Sequence, residues 1–415
     1  TMRRVALLLT AFAWLRPAFA QSLPWIEGGV PVPTRIASVE IPEKDEPLYL
    51  RPNPRAARRG SAEMGARLPL YAAKRGAGCR GYWLMVGPLA WVCQDRVRLS
   101  SDPAVAVRRT PLSMPEGLPY RYHFVGRNGA LGYRTLSMAE EVAPDAELEP
   151  GFSIAVVHVA KRGGDPFAFT TKNLWVPLRD LGPARALPFQ GAEIADGKLN
   201  QAWVFADRAE VFDKPGGTRS KSEVRPQWER LEVLDTVEKK ERRWFRIGDG
   251  RWVSDRDVRA PTSAPIPGDA AAGERWIDVD IANQVLTAYE GERPVFATLV
   301  STGKGKGKSI LATPVGSHRI WVKLLSSDMD NLENEEASRY YAIQDVPWVM
   351  YFEKGYGLHG TFWHRSFGRI RSHGCVNLSP LDAQRLFNWT GPTLPAGWTA
   401  ALPSPYDRGT LIRVR

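Results

Sequence analysis

Long apolar runs are scarce in this sequence. One covers residues 5–15 behind Arg3 and Arg4, and it is too short to cross a bilayer. Together with small residues at 18–20, it predicts a secretory signal peptide over residues 1–20, with an uncleaved anchor as the alternative. No second such run follows, so the only membrane contact we expect is through this peptide before cleavage. Long amphipathic runs are also few, and 33 prolines, 37 glycines and 15 tryptophans indicate β-rich modules joined by loops.

Cysteine is scarce too, with three residues in 415. Cys79 and Cys93 flank two apolar stretches separated by Gly87 and Pro88, which suits a hairpin whose strand ends meet. We therefore predict a disulfide between them, and an exported protein of the periplasm or cell wall, where conditions are oxidising. This pairing leaves Cys375 as a free thiol, the state that a cysteine nucleophile needs.

The segment from Leu358 to Leu378 is the richest in reactive side chains. It holds three of the six histidines and Cys375. A thiol becomes a strong nucleophile when a base takes its proton or a positive environment lowers its pKa. His359 could reach Cys375 through a strand, a loop and a return to the sheet. Three arginines are expected to favour the thiolate and attract a substrate carboxylate: Arg365, Arg369 and Arg371.

The residues before Cys375 have the composition of a tight turn that exposes a side chain. Ser372 offers a hydroxyl, and Gly374 is free to adopt positive φ. Successive backbone N–H groups at such a turn, those of His373, Gly374 and Cys375, are candidates for an oxyanion hole.

Two other interpretations of this segment were weighed. A lone cysteine is usually a small buried apolar residue, but two histidines accompany Cys375. A metal site is the second, with His359, His364, His373 and Cys375 as ligands, but their spacing fits no zinc pattern. A phosphate loop at residues 303–309 also fails, because position 302 is Thr302 rather than glycine. We expect no metal, no cofactor and no nucleic acid partner.

These motifs resemble the YkuD-type catalytic domain of L,D-transpeptidases. The signature is His-Gly-Thr at 359–361, then Ser-His-Gly-Cys at 372–375 followed by Val376 and Asn377. The resemblance covers roughly residues 274–403, and upstream it includes four further stretches: 277–280, 283–286, 300–304 and 313–316. It implies a YkuD-like β-sandwich at the C-terminus of a mainly β chain.

The resemblance also implies a reaction. Cys375 is the nucleophile and His359 its general base, with the Gly360 carbonyl orienting the imidazole. The substrate is a peptidoglycan stem tetrapeptide, which loses D-alanine and passes its acyl group to an amine of another stem or of a protein. Water as acceptor would give an L,D-carboxypeptidase, and an inert domain would leave a wall-binding protein. Roles are expected for the following residues: Ser372, His373 and Gly374 in shaping the turn, Asn377 in fixing the loop, Arg371 on a carboxylate, and Trp348 and Tyr356 in an acceptor groove or the core.

The first 260 residues contain an internal repeat. The pattern from Trp83 through Trp91-Val92 to Arg98 matches that from Trp244 through Trp252-Val253 to Arg259 without a gap, and residues 167–181 give a weaker copy. A strand, a turn and a strand ending in Trp-Val resemble bacterial SH3-like domains, which often accompany cell-wall enzymes. The tryptophans are expected chiefly in small-barrel cores, with peptide binding as the alternative.

Composition shifts divide the chain. The predicted parts are a signal peptide at 1–20, a Pro-rich lead-in at 21–45, SH3-like modules at 46–100, 118–182 and 201–260, a linker at 261–273, the catalytic domain at 274–403 and a C-terminal tail at 404–415. The linker has the Pro, Ala and Gly content of a semi-extended spacer. The net charge of +11 suits an anionic polymer as partner.

Overall fold

The structure is a computed structural model that describes residues 29–30, 32–105, 116–307, 309–331 and 341–415. The predicted signal peptide and residues 21–28 of the lead-in lie outside these residues. Strands dominate, and within the described residues Pro380–Trp389 is the one α-helix. The prediction of a mainly β chain is therefore confirmed. No helix among these residues has the length and apolar character needed to cross a membrane.

The first module consists of eight short strands. They are β1 (Ser38–Glu40), β2 (Glu46–Tyr49), β3 (Arg58–Ala62), β4 (Arg67–Pro69), β5 (Ala72–Lys74), β6 (Trp83–Gly87), β7 (Ala90–Cys93) and β8 (Arg98–Ser100). One sheet has the order β4-β1-β8, and the other strands follow the order β3-β2-β7-β6-β5. The unit thus starts at β1, before the predicted boundary at residue 46.

The second module has seven strands. They are β9 (Arg121–Val125), β10 (Ala130–Gly132), β11 (Ala146–Leu148), β12 (Ser153–Arg162), β13 (Asp165–Thr170), β14 (Trp175–Pro177) and β15 (Leu181–Pro183). The long strand β12 pairs with β9 through its first half and with β13 through its second half. Strand β12 therefore occupies the positions that β4 and β5 hold in the first module. A short strand, β16 (Ala192–Glu193), follows in the connector.

The third module repeats the first strand for strand. Its strands are β17 (Gln201–Val204), β18 (Arg208–Phe212), β19 (Arg219–Pro226), β20 (Arg230–Glu232), β21 (Asp235–Glu238), β22 (Arg243–Gly248), β23 (Arg251–Ser254) and β24 (Val258–Arg259). The sheet orders are β20-β17-β24 and β19-β18-β23-β22-β21. Each order is that of the first module with the strand numbers raised by sixteen, so the two units share one topology.

The tryptophan of each Trp-Val pair lies at the same place in all three modules. Trp91 is opposite Tyr49, Trp175 is opposite Tyr133, and Trp252 is opposite Phe212 on the neighbouring strand. Aromatic cross-strand pairs of this kind stabilise an antiparallel ladder. The repeat seen in the sequence is therefore a repeat in structure, while the SH3-like assignment stays a prediction.

The C-terminal region from β25 to β34, called the catalytic region after its predicted role, is a two-sheet sandwich with one helix among its described residues. Its elements are β25 (Arg275–Asp280), β26 (Val285–Glu290), β27 (Arg293–Leu299), β28 (Gly316–Arg319), β29 (Val322–Asp330), β30 (Ala342–Glu353), β31 (Tyr356–Gly360), β32 (Val376–Leu378), α1 (Pro380–Trp389), β33 (Trp398–Ala401) and β34 (Leu411–Val414). One sheet has the order β16-β27-β26-β25-β34-β28, and the other contains β33-β29-β30-β31-β32. Because β34 pairs with β25, the sheet extends beyond the predicted end at residue 403 into the predicted tail.

The core lies between the two sheets and the helix. Apolar side chains of β25, β26, β30, β31 and β32 meet there with Leu386 and Phe387 of α1. The helix starts at Pro380 because Ser379 caps it by accepting a hydrogen bond from the Asp382 amide and proline is favoured in the first turn. This packing holds the end of β32, and with it the segment around Cys375, against the core.

The first and second modules join the catalytic region through strand pairing. Strand β3 of the first module pairs with β33, and β12 of the second pairs with β30 at Ser153 and Ile343. The predicted linker is also held in place. Arg413 donates to the Pro265 carbonyl at 2.6 Å and Arg319 to the Asp269 carbonyl at 3.2 Å. Residues 261–273 are thus packed on the catalytic region rather than acting as a free spacer.

Candidate active site

Two parallel strands bring His359 and Cys375 together. Strands β31 and β32 pair with Leu358 opposite Val376 and His359 opposite Asn377, and Cys375 immediately precedes β32. The fifteen residues between His359 and Cys375 thus leave the sheet and return to it, as the sequence predicts. Both side chains line one cleft of about 860 Å³.

The imidazole of His359 is buried and held in one orientation. Its Nδ1 lies 3.1 Å from the Gly360 carbonyl, so the proton on Nδ1 is donated there and Nε2 keeps a lone pair. The Trp363 ring stacks on it at 5.7 Å between centroids. Burial lowers the pKa of His359 to about 4, although the Gly360 carbonyl acts in the opposite direction. His359 is therefore a neutral base near neutral pH.

The thiol of Cys375 is neutral as well. Burial raises its pKa above the ordinary value, and a backbone hydrogen bond from Gly357 only partly offsets this. Its Sγ lies 3.8 Å from the Gly355 carbonyl. The expectation that arginines would favour a resting thiolate is wrong, because desolvation dominates. Arg369, one of those arginines, lies over the ring of Phe205 instead.

The turn before Cys375 depends on Ser372 and Gly374. Ser372 Oγ accepts from the Gly374 amide at 3.1 Å and donates to the Cys375 carbonyl. Gly374 has φ +121°, and a Cβ there would lie 2.4 Å from the Tyr356 ring, so only glycine fits. Since the Gly374 amide is already bonded, the amides of His373 and Cys375 are the remaining candidates for an oxyanion hole.

His364 and Asn377 form a buried pair that the sequence does not predict. His364 Nδ1 lies 3.1 Å from the Ser366 amide nitrogen, and its Nε2 lies 2.8 Å from the side-chain amide of Asn377. The Asn377 atom that faces Nε2 is the amide nitrogen, and because a neutral imidazole has one acceptor nitrogen, the ring tautomer decides which of the two contacts is a hydrogen bond. Burial lowers the pKa of His364 to about 3, which keeps it neutral. The one available signal was the extra histidine, which had suggested a metal ligand.

The predicted substrate-contact residues divide into two groups. Arg371, Tyr356 and Asn377 line the cleft, and Asn377 also fixes the loop through two backbone hydrogen bonds with Ser301. Trp348 does not line it, so the groove role predicted for Trp348 is wrong. Its ring is buried, packs on Phe387, and donates to the Gly117 carbonyl at 2.6 Å.

The outer part of the cleft carries two stacked rings. Tyr341 and His373 lie parallel, 5.4 Å apart and 5° from coplanar. Partial burial and the nearby Lys304 lower the pKa of His373. His373, which is expected to shape the turn, therefore carries an uncharged ring near neutral pH.

The second module supplies one wall of the cleft. Phe124 and Gly151 line it beside residues of the catalytic region. Tyr122 of the same module stacks on Phe362 at 4.0 Å and donates to the Asp345 carbonyl at 2.5 Å. Nothing in the sequence predicts this contact, because the two segments lie more than two hundred residues apart.

The remaining cysteines lie away from the cleft. Cys79 and Cys93 form a disulfide with Cα atoms 5.7 Å apart, across the β6–β7 hairpin, and Cys375 is a free thiol.

Comparison with known proteins identifies the catalytic region. Residues 274–412 match the family model described as YkuD, L,D-transpeptidase catalytic domain. The chain therefore carries a YkuD-type L,D-transpeptidase catalytic domain there, as the motifs predict. A search of curated proteins finds no match to the sequence.

Solved L,D-transpeptidase structures are similar over part of the chain. The catalytic domain from E. faecium is 22% identical with a TM-score of 0.27, covering 35% of this chain and all of that one. The structure from Stackebrandtia nassauensis is 27% identical with a TM-score of 0.24, covering 35% of this chain and 58% of that one. A longer E. faecium chain is 21% identical with a TM-score of 0.26, covering 35% of this chain and half of that one. The assignment of residues 274–412 rests on the family model, because TM-scores this low do not establish a relationship.

Proposed function

We propose that this protein is a cysteine-dependent peptidoglycan L,D-transpeptidase. The observation that carries the proposal is the neutral pair of Cys375 and His359 in one cleft of a YkuD-type domain, with Nε2 of His359 left as a base. A neutral thiol needs a neutral base beside it, and a base with a pKa of about 4 is unprotonated at working pH.

The first half-reaction forms a thioester. His359 Nε2 takes the Cys375 proton as the sulfur attacks the carbonyl of an L-centre in a stem tetrapeptide, next to the terminal D-alanine. Amides of the turn stabilise the oxyanion. The C–N bond then breaks, and His359 returns the proton to the amine of the departing D-alanine.

The second half-reaction releases the enzyme. An acceptor amine attacks the thioester carbonyl and gives a proton to His359, the C–S bond breaks, and the proton returns to the sulfur. A stem of a neighbouring strand or a protein amine is the acceptor. With water the same site acts as an L,D-carboxypeptidase, which is the alternative activity.

We further propose that the protein is exported and acts in the periplasm or cell wall. The Cys79–Cys93 disulfide supports this, because such bonds persist in oxidising compartments. Detection of the oxidised form in a periplasmic or wall fraction checks it, and a cytoplasmic, fully reduced protein would contradict it.

The test is the intact mass of the full chain after incubation with a disaccharide tetrapeptide. We expect an adduct equal to the donor minus D-alanine on wild type and none on Cys375→Ala. Adding an amine acceptor should convert the adduct to a cross-linked product rather than a tripeptide. If no adduct forms while the thiol still reacts with iodoacetamide, a wall-binding role replaces the enzyme.

A further inference from the structure

A second cleft lies on the third module, beside the active cleft. Its volume is about 550 Å³. Five arginines line it against three carboxylates: Arg208, Arg219, Arg242, Arg256 and Arg369, with Asp207, Glu210 and Asp257. The cleft is therefore positively charged, and nothing in the proposed reaction uses it.

The charges in this arginine cleft are only partly paired. Glu210 is shared by Arg208 at 3.4 Å and Arg219 at 3.3 Å. In the part of the chain that the structure describes, Arg256 and Arg369 form no ion pair. These two exposed guanidinium groups are thus available to an outside anion.

Two aromatic side chains also line the arginine cleft. The rings of Phe212 and Trp244 meet edge to face at 5.1 Å, and Trp244 is buried. They belong to β18 and β22 of one sheet. A site lined by aromatic rings and arginines suits a ligand that has an aliphatic body and carboxylate groups.

One short segment separates the arginine cleft from the active cleft. Arg369 lines the former, while Ile370 and Arg371 line the latter, directly before the Ser372 turn. The segment is seated on the third module, because Gly368 has φ +85° and a Cβ there would lie 2.6 Å from Phe205. A polymer that reaches the active cleft therefore passes close to the arginines.

We propose that the arginine cleft is a binding subsite for the carboxylate groups of peptidoglycan stem peptides adjacent to the one in the active cleft. This rests on the proposed function and adds a second contact with the same polymer. Arginine forms bidentate hydrogen bonds with carboxylates, and a peptide-bearing polymer presents such groups repeatedly. The subsite raises the residence of the enzyme on the wall without touching the reacting atoms.

The test compares binding of full-length protein to purified sacculi. The variant is Arg256→Gln with Arg369→Gln, which breaks no ion pair, and the matched control is Arg55→Gln with Arg127→Gln, which removes equal charge elsewhere. Loss of two charge-assisted contacts is expected to weaken binding by about tenfold or more in the first and not in the second. Acylation of Cys375 by a soluble tetrapeptide is expected to stay within about twofold of wild type. Arg219→Gln with Arg256→Gln repeats the test without altering the segment before the turn.

A second arm identifies the anion. Sacculi whose carboxylates are converted to amides keep any phosphate groups, so wild type is expected to bind them as weakly as the variant binds untreated sacculi. Equal binding of variant and control, or undiminished binding to amidated sacculi, would overturn the proposal. If no acyl adduct forms but binding to sacculi still depends on the arginines, the result counts against the proposed enzyme activity and not against the subsite.

Discussion

At the scale of single residues, the proposed catalytic pair of Cys375 and His359 differs from a pre-formed thiolate and imidazolium. Burial moves the pKa of Cys375 upward and that of His359 downward, so both changes favour the neutral forms. Proton transfer must then accompany attack on the substrate. Cys375 is consequently mostly a neutral thiol near neutral pH, with only a small fraction present as thiolate.

The reactivity of Cys375 toward a small electrophile tests this. Because only the thiolate reacts, alkylation by iodoacetamide is expected to speed up about tenfold per pH unit between pH 6 and 8. The rate is followed by intact mass, with Cys375→Ala as the blank. A rate that does not change over this range would show that an ion pair exists at rest.

His364 gives a second prediction at this scale. His364→Phe keeps the ring packing on Phe367 but leaves the Ser366 amide and the Asn377 side chain without partners. We expect a loss of about 1–3 kcal/mol in the free energy of unfolding and slower acylation, because Asn377 is opposite His359 in the sheet. Urea unfolding and the rate of adduct formation measure the two effects. The control is His158→Phe at an exposed position, and equal stability of both variants would contradict the role assigned to His364.

The residues of the site were predictable from the sequence where they lie close together along the chain. Cys375, His359, Ser372 and Gly374 lie in one segment whose residue types fix the turn and the base. Trp348 could not be placed in this way. Its hydrogen bond goes to Gly117, in a distant segment, and aromatic residues suit a groove and a core equally well.

At the scale of elements, a buried lysine contacts the C-terminal end of helix α1. Lys323 of β29 donates to the carbonyls of Phe387 and Thr390, at the C-terminal end of the helix, where a positive charge is favourable. Its side chain is almost fully buried, and this lowers its pKa to about 7. The unfolded chain holds the proton up to a pKa of about 10.4.

This difference makes the stability of the protein depend on pH. Between about pH 7 and 10 the unfolded state binds a proton that the native state lacks, so the free energy of unfolding rises with pH. Below the native pKa of about 7 both states hold the proton, so the full cost of burying the charged lysine lowers the free energy of unfolding. Relative to Lys323→Met, wild type is expected to gain up to about 1.4 kcal/mol per pH unit in this window.

Urea unfolding at pH 7, 8 and 9 checks the prediction for Lys323. Lys161→Met, at an exposed lysine of β12, is the control and should follow wild type at every pH. If Lys323→Met and wild type keep a constant difference across this range, the lysine does not lose its proton in the native state.

The repeat in the sequence predicts part of the strand arrangement of the three modules. The Trp-Val pairs predict strands and a common unit, and the structure places each tryptophan opposite an aromatic ring. Strand β12 was harder to predict. Where the first module uses two short strands, the second uses one, and the repeat in the sequence gives no sign of this because its weaker copy, residues 167–181, begins after β12.

At the scale of the whole molecule, the first and second modules share a continuous sheet with the catalytic region. The pairing of β3 with β33 and of β12 with β30 uses backbone groups, which leave no pattern in the side chains. The sequence therefore predicts separate modules and a spacer, and it could not predict their joining. One consequence is that the second module lines the cleft that contains His359 and Cys375, more than two hundred residues away along the chain.

Tyr122 tests whether that wall matters for the reaction. Tyr122→Ala removes a buried ring from beneath Phe362, whose neighbour Trp363 stacks on His359, so the loop over the base loses its support. We expect a loss of about 3–5 kcal/mol in stability and slower acylation by a soluble tetrapeptide. Tyr122→Phe keeps the stack and loses only the hydrogen bond to the Asp345 carbonyl, at a cost of about 1 kcal/mol, with acylation close to wild type. If the folded alanine variant acylated as fast as the phenylalanine variant, the second module would be a structural support and not a part of the active site.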